Sequence, residues 1–263
     1  MRAAARAGEI LLERWEQPIT GRAFKTTATD EVSDADHAAE AAVVGIIREA
    51  HPDDTIRSEE GASATGTSGR RWLIDPLDGT TNFLYRIPQW SVSIACLEGD
   101  KPAVGVVHDP VKREMFFAQR GGGAWVAQAA PGMTPDPWRA RALAVTTLTD
   151  PAMALVVTGY SYSAEERIRQ HSREARLVSG VRDLRRFGSA ALDLAWVAAG
   201  RVDGYAEQFG EPWDWAAGRL IVEEAGGRVS DVPGVRPGVP GILASGAAVH
   251  DALLALIRAI EPA

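Results

Sequence analysis

The stretch from Trp72 to Thr81, Trp-Leu-Ile-Asp-Pro-Leu-Asp-Gly-Thr-Thr, constrains this chain more than any other. Its apolar run (Trp72, Leu73, Ile74) reads as a short buried strand, and Pro76, which has no backbone N–H, is expected to stop it. Asp75 and Asp78 are then presented at the strand's exit. Gly79, Thr80 and Thr81 read as the first turn of a helix, whose unpaired N–H groups and positive dipole end face any anion beside the carboxylates. Hard divalent cations take oxygen ligands, and Mg²⁺ usually shares them with a phosphate, so the two halves of the stretch suit one ligand set. A lone D-x-x-D is more often an ordinary acidic turn, and the rest of the chain has to decide.

Two further acidic pieces bear on that decision. Ser58-Glu59-Glu60-Gly61 follows a β-prone pair, Thr55 and Ile56, and Trp213-Asp214-Trp215-Ala216-Ala217-Gly218 opens a helical pattern that runs to Gly226-Gly227. Taken singly, a Glu pair is a solvated face and an Asp at a helix start is a cap. Taken in order, Glu-Glu, then W-x-I-D-P-L-D-G-T-T-N-F, then W-D-x-A-A-G followed by E-A-G-G, they make the chain resemble the inositol monophosphatase family of Mg²⁺-dependent, lithium-sensitive phosphatases. The likeness spans nearly the whole chain.

The resemblance implies a ligand set. Glu59, Asp75 and the backbone carbonyl of Leu77 would hold one Mg²⁺; Asp75, Asp78 and Asp214 would hold a second. A third, weaker ion would share Glu59 and water, giving two or three per site, with Glu60 as a supporting neighbour. Val32-Ser33-Asp34-Ala35-Asp36 looks like the family's V-T-x-A-D element, which makes Asp36 the partner of Thr80 in orienting the attacking water, alongside Glu59. Lys25 is similar to a mobile-loop lysine that reaches toward the site. Gly188-Ser189-Ala190-Ala191 matches a segment that lies against substrate, and Glu207 matches a carboxylate that receives substrate hydroxyls. The implied substrate contacts are Asp78, Gly79, Thr80, Thr81, Ser189, Ala190, Glu207 and Asp214. Ser58 stands where a glycine is common and Ser33 replaces the usual threonine; neither change removes a ligand.

The chemistry points the same way. Phosphate monoesters hydrolyse extremely slowly in water, so a catalyst must neutralise phosphoryl charge and supply a strong nucleophile near neutral pH. Two cations roughly 3.5 to 4 Å apart do both, one activating a water for direct attack and the other stabilising the leaving alkoxide. Glu59, Asp75, Asp78 and Asp214 would repel one another without such cations. No competing catalytic set is present. The five histidines (His37, His51, His108, His171, His250) are scattered and suit structural or surface roles. Gly121-Gly122-Gly123 lacks the Lys-Ser/Thr of a P-loop and fits a hairpin turn.

A chain of 263 residues that is 46% hydrophobic can bury one large core or two continuous subdomains. No run approaches the roughly 18 apolar residues of a membrane helix, and residues 1–15 read as an amphipathic helix with its start trimmed, not a signal peptide. The single cysteine, Cys96, has no internal partner and alternates with Val92 and Ile94, as a packed strand residue does. A reducing cytoplasm is the expected setting, with a homodimer as the expected assembly.

Helices are expected over 35–50, 164–177, 189–199, 214–225 and 248–260, and strands over 91–97, 103–108, 114–119, 153–158, 184–187 and 202–207. A proline-rich loop at 130–137 separates an α+β half from an α/β half. The reading is therefore residues 1–140 carrying most metal ligands and residues 141–263 supplying Asp214 and substrate contacts, together forming the layered αβαβα sandwich that the resemblance implies.

The formal charge of −7 argues against general nucleic-acid binding, which needs clustered cations. Arg167, Arg169, Arg173, Arg176, Arg182, Arg185 and Arg186 nevertheless concentrate in one region, interleaved with Glu165, Glu166 and Glu174. A solvated helix face with local ion pairs accounts for such a pattern. So does a docking face, since some bacterial relatives of the family are partners of the transcription machinery. The substrate is expected to be a small phosphate ester. Inositol monophosphate, fructose 1,6-bisphosphate, histidinol phosphate and 3′-phosphoadenosine 5′-phosphate are all open. Thr81-Asn82-Phe83 with Glu207 looks most like the inositol phosphatase branch, because histidinol phosphatase relatives often carry lysine where Thr81 stands.

Overall fold

The computed structural model describes residues 1–17, 23–24, 31–128, 133–208, 210–236 and 238–258. Lys25 and most of the loop after it lie outside the described residues, as do positions 130–132 of the expected proline-rich loop and the last residues of the expected 248–260 helix.

Helix α1 (Arg2–Trp15) is followed by a short ribbon, β1 (Ala23–Phe24) paired with β2 (Glu31–Val32), and by helix α2 (Asp34–Ala50). Next come β3 (Thr55–Ser58), β4 (Ser63–Ala64), β5 (Arg70–Asp78), the short helix α3 (Thr80–Leu84), β6 (Ser91–Glu98), β7 (Lys101–Asp109), β8 (Glu114–Gln119), β9 (Ala124–Gln128) and β10 (Arg141–Ala142). These strands form a sheet in the order β10-β9-β8-β7-β6-β5-β3-β4, antiparallel except where β3 runs parallel to β5. The remainder is β11 (Leu155–Thr158), α4 (Ala164–Gly180), β12 (Asp183–Arg185), α5 (Ala190–Ala198), β13 (Gly204–Glu207), α6 (Pro212–Glu224), β14 (Gly227–Val232), β15 (Gly241–Gly246) and α7 (His250–Arg258). The second sheet has the order β12-β11-β13-β15-β14.

Layering follows from which faces are apolar. Ala3, Ala4, Ala7 and Leu11 of α1 and Ala39, Val43 and Ile47 of α2 recur at helical spacing and bury against Ile74, Ile94 and Val106 of the first sheet. Helices α5 and α6 are apolar on both sides and fill the space between the sheets, with Leu192, Leu194, Ala217 and Ile221 in one cluster with Val107, Tyr205 and Ala244. On the far side α4 and α7 cover the second sheet through Leu177, Leu253 and Ile257. The result is a helix–sheet–helix–sheet–helix sandwich, the layered fold expected. The Ala216-Ala217-Gly218 run is small because α6 lies close to the first sheet: a side chain at Gly105 would come within 2.8 Å of the Ala217 carbonyl.

Three expectations are corrected. Pro76 does not stop the strand: β5 runs on to Asp78, because the proline falls in a bulge where no ladder donor is needed. The expected 184–187 strand shrinks to Asp183–Arg185. The sequence reading also places no strand after residue 225, whereas β14 and β15 form an antiparallel hairpin there. β14 alternates polar residues on an edge, and β15 is short and bounded by glycines, so neither has a strong apolar signal.

Candidate active site

The bulge in β5 makes the site. Residues three apart on a regular strand point to opposite faces, which would separate Asp75 from Asp78. Here Asp75 pairs with Ser93 and Asp78 with Ser91, so three residues on β5 match two on β6. One extra residue brings both carboxylates to the same face, toward α5 and α6. Both are buried, at 2% and 8% exposure. Leu77 donates its N–H to Asp75 Oδ1 at 3.0 Å.

Immediately after the strand Gly79 takes φ 93°, a conformation that favours glycine, and caps α3. Thr80 Oγ1 then lies 3.2 Å from Asp36 Oδ1 and 3.1 Å from the Leu77 carbonyl. Asp36 is placed by the start of α2, where its Oδ2 accepts from the Ser33 N–H at 2.9 Å and the Ser33 hydroxyl at 2.7 Å. The capping box engages Oδ2, and Oδ1 faces Thr80. Thr81 sits in α3 and is not on the cleft wall.

The second half of the chain docks onto these groups. Asn82 donates both amide hydrogens, to Gln89 O at 2.7 Å and Phe187 O at 2.6 Å, which fixes the segment leading into Gly188. Ser189 precedes α5, and its hydroxyl donates to Asp78 Oδ2 at 2.6 Å, joined by the N–H groups of Ala191 at 2.8 Å and Ala190 at 3.2 Å. The Asp78 carboxylate therefore occupies the N-terminus of α5 itself. Asp214, in the first turn of α6, accepts the Glu211 N–H at 2.7 Å, so it is a cap as well as a cleft residue. Glu207 ends β13. Its carboxyl fills the place a side chain at position 159 would take, 2.4 Å from the Cβ direction of Gly159, and it accepts from the Tyr205 hydroxyl.

These residues line one cavity of about 430 Å³, which includes Glu59, Asp75, Leu77, Asp78, Gly79, Thr80, Ser189, Ala190, Glu207 and Asp214. Asp36 lies behind Thr80, at 0% exposure. The electrostatics are those of crowded acids. Burial, reinforced by the charges of Glu59, Asp78 and Asp214, pushes Asp75 well above the usual carboxylate range. Burial and Glu59 do the same to Asp214, against the Glu211 amide. Asp78 is pushed up by burial to about 6 although the Ser189 hydroxyl and Ala191 amide hold it down, and Glu207 is raised by burial to about 7.

The donors facing the cleft are carboxylates, a peptide carbonyl and hydroxyls, with no thiol or imidazole. Such an all-oxygen, strongly anionic set fits hard divalent cations, and buried acids that repel one another are what a cation would relieve. Among the described residues no three acidic, histidine or cysteine side chains form a closed cage as they stand, so the fit rests on donor chemistry and burial.

Sequence reasoning passes over further cleft residues, among them Arg57, Tyr160 and Asp193, and it names Arg186 only as part of the arginine-rich region. Arg57 lies over the Trp213 ring at 4.9 Å, Tyr160 bonds Glu174, and Arg186 and Asp193 face Glu207. Only Asp193 leaves a signal, as a lone acid inside the apolar run Ala-Ala-Leu-Asp-Leu-Ala-Trp. Three of the seven arginines of that region are tied down locally: Arg169 pairs with Glu165 at 3.4 Å, Arg185 with Asp183 at 2.5 Å, and Arg167 donates to the Ser161 and Tyr162 carbonyls.

Comparison with known proteins supports the same picture. The Nus factor SuhB of Escherichia coli is 41% identical over 236 residues, covering 89% of this chain and 84% of that one. The solved structure of extragenic suppressor protein suhB from Bartonella henselae superposes with a TM-score of 0.86 at 34% identity, over 97% of this chain and 95% of that one. Inositol monophosphatase from Anabaena gives a TM-score of 0.81 at 34% identity, over 99% and 94% of the two chains. The profile of the inositol monophosphatase family matches residues 1–261, end to end across the bulged strand, both capping acids and the cleft they enclose. The chain belongs to that family of metal-dependent phosphatases.

Proposed function

We propose that this protein is a Mg²⁺-dependent phosphate monoester hydrolase acting on inositol 1-phosphate. The observation that carries the reading is the convergence of Asp75, Asp78 and Asp214, from both halves of the chain, in one cleft with Glu59 and Thr80. Glu59, Asp75 and the Leu77 carbonyl would hold one Mg²⁺, and Asp75, Asp78 and Asp214 a second. Bound Mg²⁺ would supply neutralisation of phosphoryl charge and acidification of the attacking water.

The chain's own residues do the rest. With its hydrogen bond donated to Asp36, the Thr80 hydroxyl would offer its lone pairs to a water and fix the direction of attack, while Glu59 would accept a proton from that water. The start of α3 presents N–H groups to the phosphate. Glu207, held over Gly159, accepts hydroxyls of the leaving alcohol. The donors of Ser189, Ala190 and Ala191 are committed to Asp78, so they act on substrate through that carboxylate. A cytoplasmic homodimer is the setting we expect.

A phosphate-release panel with Mg²⁺ over inositol 1-phosphate, fructose 1,6-bisphosphate, histidinol phosphate and 3′-phosphoadenosine 5′-phosphate tests the reading. It predicts the highest kcat/KM for the first. A clear preference for any of the others reassigns the substrate.

A second reading has one specific support: the relatives named Nus factor SuhB. We infer from that name, together with exposed Arg176, Arg182 and Arg186, a further role as a partner of the transcription machinery. Retention of the protein by RNA polymerase in a pull-down supports it, and failure to be retained removes it.

A further inference from the structure

One buried acid of the cleft has no part in the ligand set. Asp193 lies one turn into α5 and is 2% exposed, yet it contributes to the cavity wall. Its Oδ1 has no hydrogen-bond partner among the described residues. A buried carboxyl left unpaired is costly, and Asp193 borders the cavity, so a donor that enters there can satisfy the carboxyl. Its surroundings say what would enter. Asp78 and Glu207 act on it with negative charge and Arg186 with positive, and all three line the same cavity as Asp193.

Glu207 already spends one oxygen on the Tyr205 hydroxyl, which leaves it one oxygen for a ligand. Asp193 supplies a second acceptor in the same cavity. We propose that Asp193 is a specificity-determining residue that, with Glu207, accepts hydrogen bonds from two hydroxyls of the leaving alcohol. The substrate class is then the phosphate monoesters of polyols carrying at least two further hydroxyls. This assignment rests on the phosphatase reading above.

The test uses the full chain with Mg²⁺ and the variants Asp193→Asn and Asp193→Ala. KM and kcat are measured on myo-inositol 1-phosphate, on phosphoethanolamine as an amino-alcohol ester, and on p-nitrophenyl phosphate, whose leaving group offers no hydroxyl donor. The preference for the inositol ester over p-nitrophenyl phosphate should fall about tenfold or more, carried by KM, with Ala losing more than Asn. Melting temperatures should be at or above wild type, because an unpartnered buried carboxyl has been removed.

A preference that stays within about twofold of wild type overturns the assignment, as does an equal loss on all three esters accompanied by a lower melting temperature. A wild-type preference for phosphoethanolamine that Asp193→Asn abolishes shows that the carboxyl reads an ammonium instead, and overturns the polyol class. Wild-type protein that hydrolyses no ester overturns the phosphatase reading and this assignment with it. Wild type that prefers the polyol ester, with variants that keep that preference, overturns Asp193 only.

Discussion

Asp75 and Asp78 are neighbours in sequence but are held differently. Asp78 receives three donors from the far half of the chain, while Asp75 has the Leu77 N–H and the company of Glu59. Asp75 is also the residue assigned to both cations. Asp75→Asn should therefore lower kcat/KM by about a hundredfold or more, on the scale of removing a group that stabilises transition-state charge, and Glu60→Gln by much less. Melting curves of the metal-free proteins check that folding is intact. Asp75→Asn should melt no lower than wild type, since it removes one of several mutually repelling acids.

A second residue-scale prediction concerns Glu207 and Gly159. Glu207→Gln keeps shape and loses charge, and a hydrogen bond to a charged group contributes roughly 1.5 to 3 kcal/mol, so kcat/KM for inositol 1-phosphate should drop about ten- to hundredfold relative to p-nitrophenyl phosphate. Gly159→Ala should give the same kinetic pattern with the glutamate intact. Its methyl group would occupy the space of the Glu207 carboxyl, and that carboxyl is the movable end of a flexible side chain, so melting should hardly change. If Gly159→Ala leaves the preference for the inositol ester at its wild-type level, the placement of Glu207 over Gly159 is not what selects substrate.

At the scale of elements, α1 is fastened to the first sheet by a buried histidine. His108 of β7 is 4% exposed, and its Nδ1 lies 3.0 Å from the Ala4 carbonyl, so Nδ1 carries the hydrogen. Burial lowers its pKa to about 4. A histidine kept neutral by folding stabilises fully above its unfolded value near 6.5, and that contribution is lost as pH falls toward 4. Between pH 7 and pH 5 the loss amounts to about 2 kcal/mol. Thermal melts of wild type and His108→Gln should therefore converge as the pH falls, with wild type the more pH-sensitive. Parallel curves would mean that His108 titrates as in the unfolded chain.

The same scale shows where the sequence is and is not legible. Helices with one apolar stripe, such as α2, and strands with long apolar runs, such as β6, carry their own period. Asp36, Asp75, Asp78 and Asp214 are legible because motif order identifies them. The bulge is not, since Pro76 reads locally as a stop and only pairing with Ser91 and Ser93 reveals the extra residue. Asp193 is hidden for a related reason: whether an acid in an apolar helix faces solvent, a partner or a cleft depends on both sheets around it. The β14–β15 hairpin fails on weak periodicity alone.

For the whole molecule, the decisive feature is that the middle layer belongs to one half of the chain and the sheet beneath it to the other. Helices α5 and α6 bring Ser189, Asp193 and Asp214 down onto β5, so the site exists only when the layers are assembled. None of the described helices is long and apolar enough to cross a membrane. The cleft gathers carboxylates from both halves of the chain, and the proposed mechanism leaves the attack to a water activated by Mg²⁺. The most direct test is release of inorganic phosphate from inositol 1-phosphate by the purified protein, with Mg²⁺ and then with excess EDTA. The account predicts turnover with Mg²⁺, its loss on chelation and its recovery when Mg²⁺ is restored; hydrolysis at the full rate in excess EDTA would contradict it.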